Sequence, residues 1–489
     1  MISLTDLLAP WFHYAGHETI NAPTLDSRKV QAGDLFIAVP GFRSDGRQFI
    51  ATALAQGATA ILRHTDVPEE HGAVHREQGL IIDFFQLNRQ VSAVAAQCYQ
   101  PQTWSTRVVG VTGTNGKTSV TQLIAQWVEL LGQTAGVMGT IGNGRPGQLV
   151  DTGNTTADAI TVMTQLAQMS QQQLNVCAME VSSHGLVQGR VDAVPFEVAV
   201  FTNLSRDHLD FHHSMEAYAA AKRRLMSFPS VKTAVINLDD KVGAQWFSEL
   251  ATDLTLGYSL RDEPKARIRA SDAEFHYAGI RAQIHWPEGR GELNTSLLGE
   301  FNLSNLLAAL SALYALGYDL PQLLALAPKL QPVAGRMECF TAPQGYSIVV
   351  DYAHTPDGLE KALQAARSHC DGTLWCLFGC GGDRDTGKRP EMGAIAEALA
   401  DKVMVTSDNA RSEDPHAILN DIRAGLQHPE QALFEVDREA AIQHIVALAQ
   451  PGDLLLLAGK GHETYQEING QRRHYDERAF AMRLCGGQQ

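Results

Sequence analysis

A glycine-rich loop near residue 113 constrains the fold of this chain more than any other feature. The loop reads G-T-N-G-K-T from Gly113 to Thr118, and Ser119 follows it. The short apolar run at residues 107–109 predicts a strand before the loop, and the apolar spacing of residues 120–131 predicts a helix after it. A strand, a glycine-rich turn and a helix in this order are the setting of a phosphate-binding loop.

The residue types in this loop suit the binding of a nucleoside triphosphate. Glycines let backbone N–H groups close around phosphate oxygens, and the N-terminus of the helix adds partial positive charge. Lys117 would reach the outer phosphates, and the Thr118 hydroxyl would bind a magnesium ion. Val111 stands where the common form of the loop has its first glycine, so this form is compact. The alternative is a Gly-Lys-Thr turn that only opens an ordinary helix.

Composition and charge exclude several classes of protein. The chain has 489 residues, enough for two to four domains, and its apolar fraction of 44% is typical of a globular protein. A formal charge of −15 disfavours a nucleic-acid partner, although a few local Arg and Lys residues can still bind anionic substrates. The seven cysteines include no CxxC pair, which favours reduced thiols. We find neither a signal peptide nor a membrane span, and we expect a cytoplasmic monomer.

The order of predicted elements indicates an α/β protein of three domains. Strands that alternate with helices predict mostly parallel sheets, and residues 266–286 alternate as in an antiparallel excursion. We predict these domains: 1–87, a small N-terminal α/β domain; 88–333, a central P-loop ATP-binding α/β domain with a mostly parallel sheet; and 334–489, a C-terminal Rossmann-like α/β domain.

Polar groups at the ends of predicted strands suggest a metal site in the central domain. Glu180 and His208 follow two apolar strands, and ligands of open α/β sheets bind beyond the carboxyl ends of such strands. Together with the Thr118 hydroxyl, these side chains could complete a magnesium shell, although histidine is a less usual ligand for this ion. The alternative is a strand-end histidine held by ordinary hydrogen bonds.

A second crevice is expected in the C-terminal domain, where each predicted strand runs into a polar, glycine-bearing loop. Arg384 and Arg411 lie in two consecutive loops, and paired guanidinium groups are a natural clamp for a substrate carboxylate. Glu463 could hold a substrate ammonium group. The alternatives are surface salt bridges of the arginines with neighbouring acids such as Asp383 or Glu413, and an exposed acid at a helix start.

Eight motifs in order along the chain resemble those of the Mur ligase family. They are G-T-N-G-K-T, E-V-S-S-H-G-L, T-N-L-S-R-D-H-L-D, F-N-L-S-N, G-R-M-E, D-Y-A-H-T-P-D, G-C-G-G-D-R-D and A-G-K-G-H-E. The resemblance implies ATP-driven amide synthesis with Mg²⁺. The D-glutamate γ-carboxylate of UDP-N-acetylmuramoyl-L-alanyl-D-glutamate would become an acyl phosphate, and the amine of meso-diaminopimelate would displace the phosphate during peptidoglycan precursor synthesis.

The resemblance also implies roles for individual residues. Lys117, Lys222 and His208 would be catalytic, and Lys222 matches a family lysine that becomes carbamylated. The predicted metal ligands are Thr118, Glu180, His208 and Lys222. The predicted ATP residues are Gly113, Thr114, Asn115, Gly116, Lys117, Thr118, Ser119, Asn302, Arg336, Asp351 and His354. The predicted UDP-precursor residues are Leu25, Ser27, Phe42, Arg43, Ser44, Asn154, Thr155, Thr156, Ser182, Gln188 and Arg190. The predicted diaminopimelate residues are Arg384, Asp408, Asn409, Ala410, Arg411, Gly459 and Glu463.

One residue departs from the family pattern. The diaminopimelate signature is usually D-N-P-R, and Ala410 stands here in place of the proline, which frees the backbone φ angle. Arg411 remains, and lysine would leave its charge unpaired because lysine lacks the distal carboxylate. The alternatives are a lysine-adding or folylpolyglutamate-type ligase of the same superfamily, and a nucleotide-dependent switch without ligase activity.

Overall fold

The computed structural model describes residues 1–41, 44–250, 255–261, 263–276 and 279–486. The chain divides into two compact units. The first unit comprises Met1–Gly110, Gln133–Glu197 and Arg224–Val231, and the second comprises Val111–Gly132, Val198–Arg223 and Lys232–Gln489. The described residues contain no helix with the length and apolar character that a membrane crossing requires.

The first unit contains a five-stranded sheet near the N-terminus. In spatial order its strands are Pro23–Thr24, Leu35–Ala38, Ala60–Thr65, Ile81–Phe85 and Val74–His75. The first four are parallel and the last is antiparallel. The inner strand Leu35–Ala38 is buried along its whole length, as expected of a continuous apolar run in a parallel sheet.

The first unit also contains a second group of strands and a set of short helices. In spatial order these are Gln148–Val150, Gly142–Arg145, Ala135–Gly139, Val176–Glu180 and Arg107–Thr112. A short pair joins Ile2–Ser3 to Thr19–Ile20. The α-helices are Leu4–Leu8, Ile50–Ala55, Val91–Tyr99, Ala159–Gln171 and Ser183–Val187, and the 3₁₀-helices are Ser27–Lys29, Gly46–Phe49, Pro68–Glu70, Leu87–Arg89, Pro101–Thr103 and Arg224–Ser227.

The second unit contains the helix that follows the glycine-rich loop and a run of six neighbouring strands. In spatial order the strands are Phe196–Phe201, which enters the unit at Val198, Thr233–Asn237, Thr255–Ser259, Ile268–His276, Gly279–Trp286 and Gly289–Thr295. The first four are parallel and the last two are antiparallel, which confirms the predicted antiparallel excursion. The α-helices of this part are Lys117–Leu130, Leu209–His212, Met215–Arg223, Lys241–Leu250, Glu300–Ala315 and Leu320–Leu326, followed by the 3₁₀-helix Ala327–Lys329.

The C-terminal part of the second unit has its own six-stranded sheet. Its spatial order is Glu338–Thr341, Ser347–Asp351, Leu454–Ala458, Leu374–Phe378, Lys402–Val405 and Leu433–Phe434. The first pair is antiparallel and all other pairs are parallel, as predicted. The helices are Pro356–Arg367, Lys388–Leu399, Pro415–Arg423, Arg438–Leu448 and Glu477–Leu484, and a hairpin joins Tyr465–Ile468 to Gln471–His474.

The helix Glu300–Ala315 lies in the core of the second unit, next to the helix that follows the glycine-rich loop. Leucine recurs on all its faces, and Leu306, Leu307 and Leu310 are completely buried. A helix that is apolar on every side must be enclosed by other elements, and here it packs against Lys117–Leu130. Its polar start therefore lies beside the loop.

The structure confirms the predicted fold class and corrects one helix boundary. The sequence predicts a helix near residues 391–400, and in the structure this helix begins at Lys388, three residues earlier. Pro390 falls in its first turn, where the missing N–H needs no partner, so the proline does not delay the start. The prediction omitted four longer helices, each of which follows an aspartate whose carboxylate accepts hydrogen bonds from the first turn: Asp158, Asp240, Asp437 and Asp476.

Candidate functional site

The glycine-rich loop of the second unit has a backbone that only glycine permits at two positions. Gly113 has a φ of 149° and Gly116 a φ of 89°. A Cβ atom would lie 1.9 Å from Thr202 Oγ1 at the first position and 2.4 Å from Asn305 Oδ1 at the second. The loop is therefore packed too closely for a side chain, as a phosphate-binding backbone requires.

The end of the neighbouring strand holds this loop in place. The Thr114 N–H donates to the Asn203 carbonyl, and the Asn115 N–H donates to Asn203 Oδ1, both at 2.9 Å. The Thr202 hydroxyl donates to the Asn115 carbonyl at 2.6 Å. The sequence motif that contains Thr202 and Asn203 indicated a polar strand end, but the role of these residues in shaping the loop was not predicted.

Two lysine side chains converge on the carbonyl of Gly113. Lys117 Nζ donates to the Gly113 and Thr114 carbonyls at 2.9 Å, and Lys222 Nζ donates to the Gly113 carbonyl at 2.7 Å. Lys222 is only 1% exposed, and burial, reinforced by the charge of Lys117, holds its pKa well below the usual value. Lys222 is therefore disposed to be an uncharged amine.

His208 lies in the same unit on the loop after strand Phe196–Phe201. Its φ of 54° is left-handed, and its Nε2 atom is 3.4 Å from Asp207 Oδ2. Burial, reinforced by the positive charge of Lys117, lowers the pKa of His208 to about 4, although Asp207 opposes the shift. The imidazole is therefore neutral at pH 7.

A cavity of 470 Å³ opens beside the glycine-rich loop. Six of the predicted nucleotide residues line it: Asn115, Gly116, Ser119, Arg336, Asp351 and His354. Asn302 is buried and bonded to Asn305, which lines the cavity. The cavity thus brings together residues from three distant parts of the sequence.

The far wall of this cavity is built around a buried carboxylate. Asp351 accepts hydrogen bonds from the Met337 and Ala353 N–H groups at 2.8 Å, and burial raises its pKa although Arg336 opposes the shift. Arg336 stacks on the Tyr352 ring at 4.4 Å and donates to Thr118 Oγ1 at 3.2 Å. The predicted metal-binding hydroxyl thus contacts a predicted nucleotide residue.

His354 completes the wall next to Asp351. Its Nδ1 atom is 2.8 Å from the Tyr352 carbonyl, and Lys388 Nζ donates to the His354 carbonyl at 2.8 Å. Burial and the charge of Lys388 lower the pKa of His354. An imidazole that stays neutral at this position can lie beside a nucleotide without adding charge.

The second crevice of this unit contains a buried network of charged and amide groups. Asp408 and Asn409 are buried at the end of strand Lys402–Val405. Lys460, completely buried, donates to Asn409 Oδ1 at 2.9 Å and to Glu463 Oε2 at 2.6 Å. Burial alone would raise the pKa of Asp408, but the charges of Lys460 and Arg438 hold it below its usual value. Asp408 therefore stays ionised.

Gly459 is a predicted substrate residue that the packing explains. Its φ is 114°, and a Cβ atom would lie 2.9 Å from Asp408 Oδ2. The Gly459 N–H donates to the Asp351 carbonyl at 3.0 Å. Glycine therefore lets the backbone pass close to the ionised carboxylate.

The two arginines predicted as a carboxylate clamp differ in how firmly they are held. Arg411 Nη1 donates to the Gly382 carbonyl at 2.6 Å, and this residue has a left-handed φ of 52°. Arg384 is exposed, and the described residues offer it no hydrogen-bond acceptor. Glu413, a suggested salt-bridge partner, instead pairs with Arg389. Glu413 is therefore not an ion-pair partner of either arginine.

Three buried cations that support this crevice were not assigned a role from the sequence. Arg389 forms two hydrogen bonds to Glu413 at 2.9 Å and donates to the Gly381 carbonyl. Arg438 pairs with the completely buried Glu477 and donates to the Ala458 carbonyl at 2.9 Å. Lys460 lies inside a quoted motif, which was a signal, whereas Arg389 and Arg438 lie in helices without one.

Five of the predicted residues in the first unit belong to one hydrogen-bonded polar cluster. Glu180 is buried and accepts from the Thr140 N–H at 2.9 Å, and Thr140 Oγ1 is 3.0 Å from Thr155 Oγ1. Thr156 Oγ1 donates to the Glu180 carbonyl and accepts from the Ser182 N–H, both at 3.0 Å. Arg190 joins the cluster by donating to the Thr156 carbonyl at 2.5 Å.

The other predicted precursor residues that the structure describes are not hydrogen-bonded to this cluster. Ser27 begins a 3₁₀-helix beside Leu25, and the Ser44 carbonyl accepts from the Gly41 N–H at 3.0 Å. Asn154 and Gln188 flank the cluster in sequence, and the described hydrogen bonds do not tie their side chains to it. Phe42 and Arg43 lie outside the described residues.

Comparisons with known proteins agree on one family along the whole chain. Three family models match: the Mur ligase family catalytic domain at residues 19–99, the Mur ligase middle domain at 111–313, and the Mur ligase glutamate ligase domain at 335–461. The chain is 49% identical over 488 residues to the UDP-N-acetylmuramoyl-L-alanyl-D-glutamate–2,6-diaminopimelate ligase of Vibrio vulnificus (strain YJ016), covering 99% of both.

Two further relatives bear the same name. The ligase of Vibrio parahaemolyticus serotype O3:K6 (strain RIMD 2210633) is 47% identical over 488 residues, again covering 99% of both. A solved structure of such a ligase is 36% identical, covers 99% of both chains and has a TM-score of 0.71. The chain belongs to the Mur ligase family.

Proposed function

We propose that this protein is an ATP-dependent ligase that adds meso-2,6-diaminopimelate to the D-glutamate γ-carboxylate of UDP-N-acetylmuramoyl-L-alanyl-D-glutamate. Relatives of this name match the chain over nearly its full length. The single observation that carries the choice of amine is Arg411, whose guanidinium uses one N–H for the Gly382 carbonyl. Its other donors are available for a substrate carboxylate.

The first half-reaction activates the γ-carboxylate, because a carboxylate at neutral pH is a poor electrophile. One of its oxygens attacks the γ-phosphorus of ATP, the bond to the β-phosphate oxygen breaks, and ADP leaves. The loop from Gly113 to Thr118 supplies backbone N–H groups to the phosphates, and Lys117 supplies a positive charge. Charge stabilisation of this kind dominates phosphoryl transfer.

The second half-reaction forms the amide bond. The amine of meso-diaminopimelate attacks the acyl carbon, and inorganic phosphate leaves with the bonding electron pair. Asp408, Asn409 and Glu463 form the polar floor of the crevice, where Lys460 contacts both carboxylates. Arg411 would bind the distal carboxylate, which lysine lacks. A site built for that group rejects a ligand that leaves its charge unpaired.

The metal that the family implies fits the chemistry of the loop region. Thr118, His208 and a carbamylated Lys222 are the residues of the second unit that we propose to hold Mg²⁺, which supplies charge neutralisation for phosphoryl transfer. Carbamylation needs an uncharged amine, and the lowered pKa of the buried Lys222 provides one. Its Nζ would bond to the carbon of CO₂ and release one proton. The assignment of Glu180 to the metal stays a prediction.

The domain boundaries and the precursor site remain proposals on the same basis. The five-stranded sheet lies within the segment proposed as the N-terminal domain, and the six-stranded sheet lies within residues 334–489. The Thr155–Thr156–Ser182–Arg190 cluster supports an anion-binding role in the first unit. All seven cysteines are described and free, consistent with the proposed cytoplasmic location. The monomeric state stays a prediction.

The test is product formation from the UDP-precursor and ATP with either meso-diaminopimelate or L-lysine. We expect strong preference for meso-diaminopimelate in wild type, and ADP release that requires both the precursor and the amine. Arg411→Ala should lose most of this preference. Equal use of lysine would overturn the assigned amine, and ADP release without either substrate would favour a nucleotide-dependent switch.

A further inference from the structure

The hairpin Tyr465–Ile468 and Gln471–His474 lies against the loop that carries Arg411. Within the described residues the two strands form a sheet of their own, apart from the six-stranded sheet, and one β-bridge joins Ile468 to Arg411. An isolated two-stranded hairpin is marginally stable in water, so its contacts with the rest of the fold must hold it in place. Those contacts are concentrated on residues 407–411.

Gln466 is the central contact of this hairpin. Its side chain is completely buried, and its amide NH₂ donates to Ser407 Oγ at 2.8 Å and to the Asp408 carbonyl at 3.0 Å. Its amide oxygen accepts two hydrogen bonds from Arg473, at 3.0 and 2.6 Å. The side chain thus uses both its donors and its acceptor, and it joins the hairpin to the start of the loop.

The backbone of the hairpin continues the attachment up to Arg411. The Glu467 N–H donates to Asn409 Oδ1 at 2.9 Å, and the Arg411 N–H donates to the Glu467 carbonyl at 3.0 Å. The Gly470 N–H donates to the Arg411 carbonyl at 3.3 Å. Both backbone groups of Arg411 are therefore bound to the hairpin, which explains how a non-glycine residue keeps a left-handed φ.

The substitution at position 410 makes this attachment more important. Ala410 does not restrict the backbone φ angle as the usual proline of the signature would. The loop must then take its rigidity from contacts outside itself. The hydrogen bonds of the hairpin flank Ala410 on both sides, at Asn409 and at Arg411.

We propose that the hairpin positions Arg411 and that Gln466 is the key residue of the hairpin. By fixing the Arg411 side chain, the hairpin lets the enzyme discriminate meso-diaminopimelate from amines that lack the distal carboxylate. This inference rests on the proposed function of the same crevice. Gln466 is buried behind the loop and acts through Arg411, so it is a positioning residue rather than a catalytic one. A guanidinium displaced by about 1 Å loses much of its selectivity for a carboxylate.

The experiment compares kcat/KM for meso-diaminopimelate and L-lysine in Gln466→Ala and in wild type. We expect the ratio of the two values to fall on the order of tenfold to 100-fold, with the loss in KM for meso-diaminopimelate and with KM for ATP unchanged. Arg472→Ala is the matched control, because Arg472 lies on the same hairpin and contacts Glu467 and the Tyr465 ring. It should keep the wild-type ratio.

Two further variants keep the test decisive. Gln466→Asn retains the buried amide with a side chain shorter by one methylene, so it should fold even if Gln466→Ala does not, and it should show an intermediate ratio. The double variant Arg411→Ala with Gln466→Ala, or with Gln466→Asn, should discriminate no worse than Arg411→Ala alone, since Gln466 acts through Arg411.

Each outcome bears on one proposal. If Gln466→Asn, and Gln466→Ala where it folds, keep the wild-type ratio of kcat/KM for meso-diaminopimelate and L-lysine, the positioning role is overturned. A further loss of discrimination in the double variant overturns the path through Arg411. If wild type itself shows no preference for meso-diaminopimelate, the proposed function fails, and this result is separate from the other two.

Discussion

The glycine-rich loop and the loop at residues 407–411 both follow parallel strands, but they are held by different kinds of contact. The first is shaped by its own glycines and by Thr202 and Asn203 at the end of the next strand. The second depends on side chains and on a hairpin about 58 residues further along the chain. The first loop is held by the end of the adjacent strand in its own sheet, and the second is held by a hairpin outside its sheet.

The two regions also treat buried charge differently. Beside the glycine-rich loop, burial lowers the pKa of Lys222 and of His354, so that both tend to be neutral. In the second crevice Lys460 and Arg438 keep Asp408 ionised in spite of its burial. A buried group keeps its charge only where an opposite charge compensates the lost hydration. Lys222 and His354 therefore add little charge beside a bound nucleotide, whereas the second crevice holds buried charges of both signs.

The largest expected effect comes from removing the one cation that the glycine-rich loop itself contributes. Lys117→Met should lower kcat about 1,000-fold, because the charge that forms in phosphoryl transfer loses a stabilising donor. The measurement is ADP release with the precursor and the amine both present. Lys361→Met is the control, since Lys361 lines the same cavity outside the loop and forms a half-exposed pair with Asp357. This variant should lower kcat by at most about threefold. Equal losses of kcat in the two variants would contradict a special role of Lys117 in phosphoryl transfer.

The next effect tests whether the glycine-rich loop needs any contact beyond the neighbouring strand. Asp357 Oδ2 accepts from Asn115 Nδ2 at 2.8 Å and from Ser205 Oγ at 3.2 Å. Asp357→Ala should raise KM for ATP about tenfold, the effect of losing a hydrogen bond to a charged group. Preference for meso-diaminopimelate over lysine should not change. An unchanged KM for ATP would mean that the glycines of the loop and the end of the neighbouring strand suffice to shape it.

A smaller effect follows from the neutral state of His354. Its folded pKa lies below the ordinary 6.5, so the unfolded chain binds a proton there first as the pH falls. Acidification from pH 7.5 to 5.5 should therefore destabilise wild type more than His354→Asn. We expect a difference of about 2 °C in the shift of the melting temperature. Parallel shifts in the two proteins would show that His354 binds its proton equally well in the folded chain.

The smallest effect is expected where the hairpin already holds the second loop. Ala410→Pro restores the usual signature, and the N–H that it removes donates no hydrogen bond within the described residues. KM for meso-diaminopimelate and the preference over lysine should change by less than about twofold. A gain above about tenfold in preference would show that the hairpin does not supply the missing rigidity.

Several elements were predictable because their signals are local. Buried parallel strands are continuous apolar runs, and such runs predict strands at residues 196–201, 233–237 and 347–351. The structure has strands with these bounds. The family and the fold class, both confirmed, were predictable for the same reason, since each motif is a short run of adjacent residues. The assigned roles of the individual site residues stay predictions.

Other features left no local signal. The hairpin that holds Arg411 is polar on both strands, so no periodic pattern marks it. The partners of Arg389 and Arg438 are 24 and 39 residues away in sequence. The carbonyl that orients Arg411 belongs to Gly382, in a different loop. Contacts of this kind exist only once the sheet has brought the loops together.

The amino-acid sequence by itself determined the family, the α/β class and the phosphate-binding loop, because a tight glycine turn needs specific residues at adjacent positions. Tertiary structure alone decided which buried groups keep their charge and which contacts hold Arg411. Burial and compensation depend on neighbours from distant segments. Burial lowers the pKa of Lys222, which lies beside a second lysine, whereas the equally buried Lys460 lies against the carboxylates of Asp408 and Glu463.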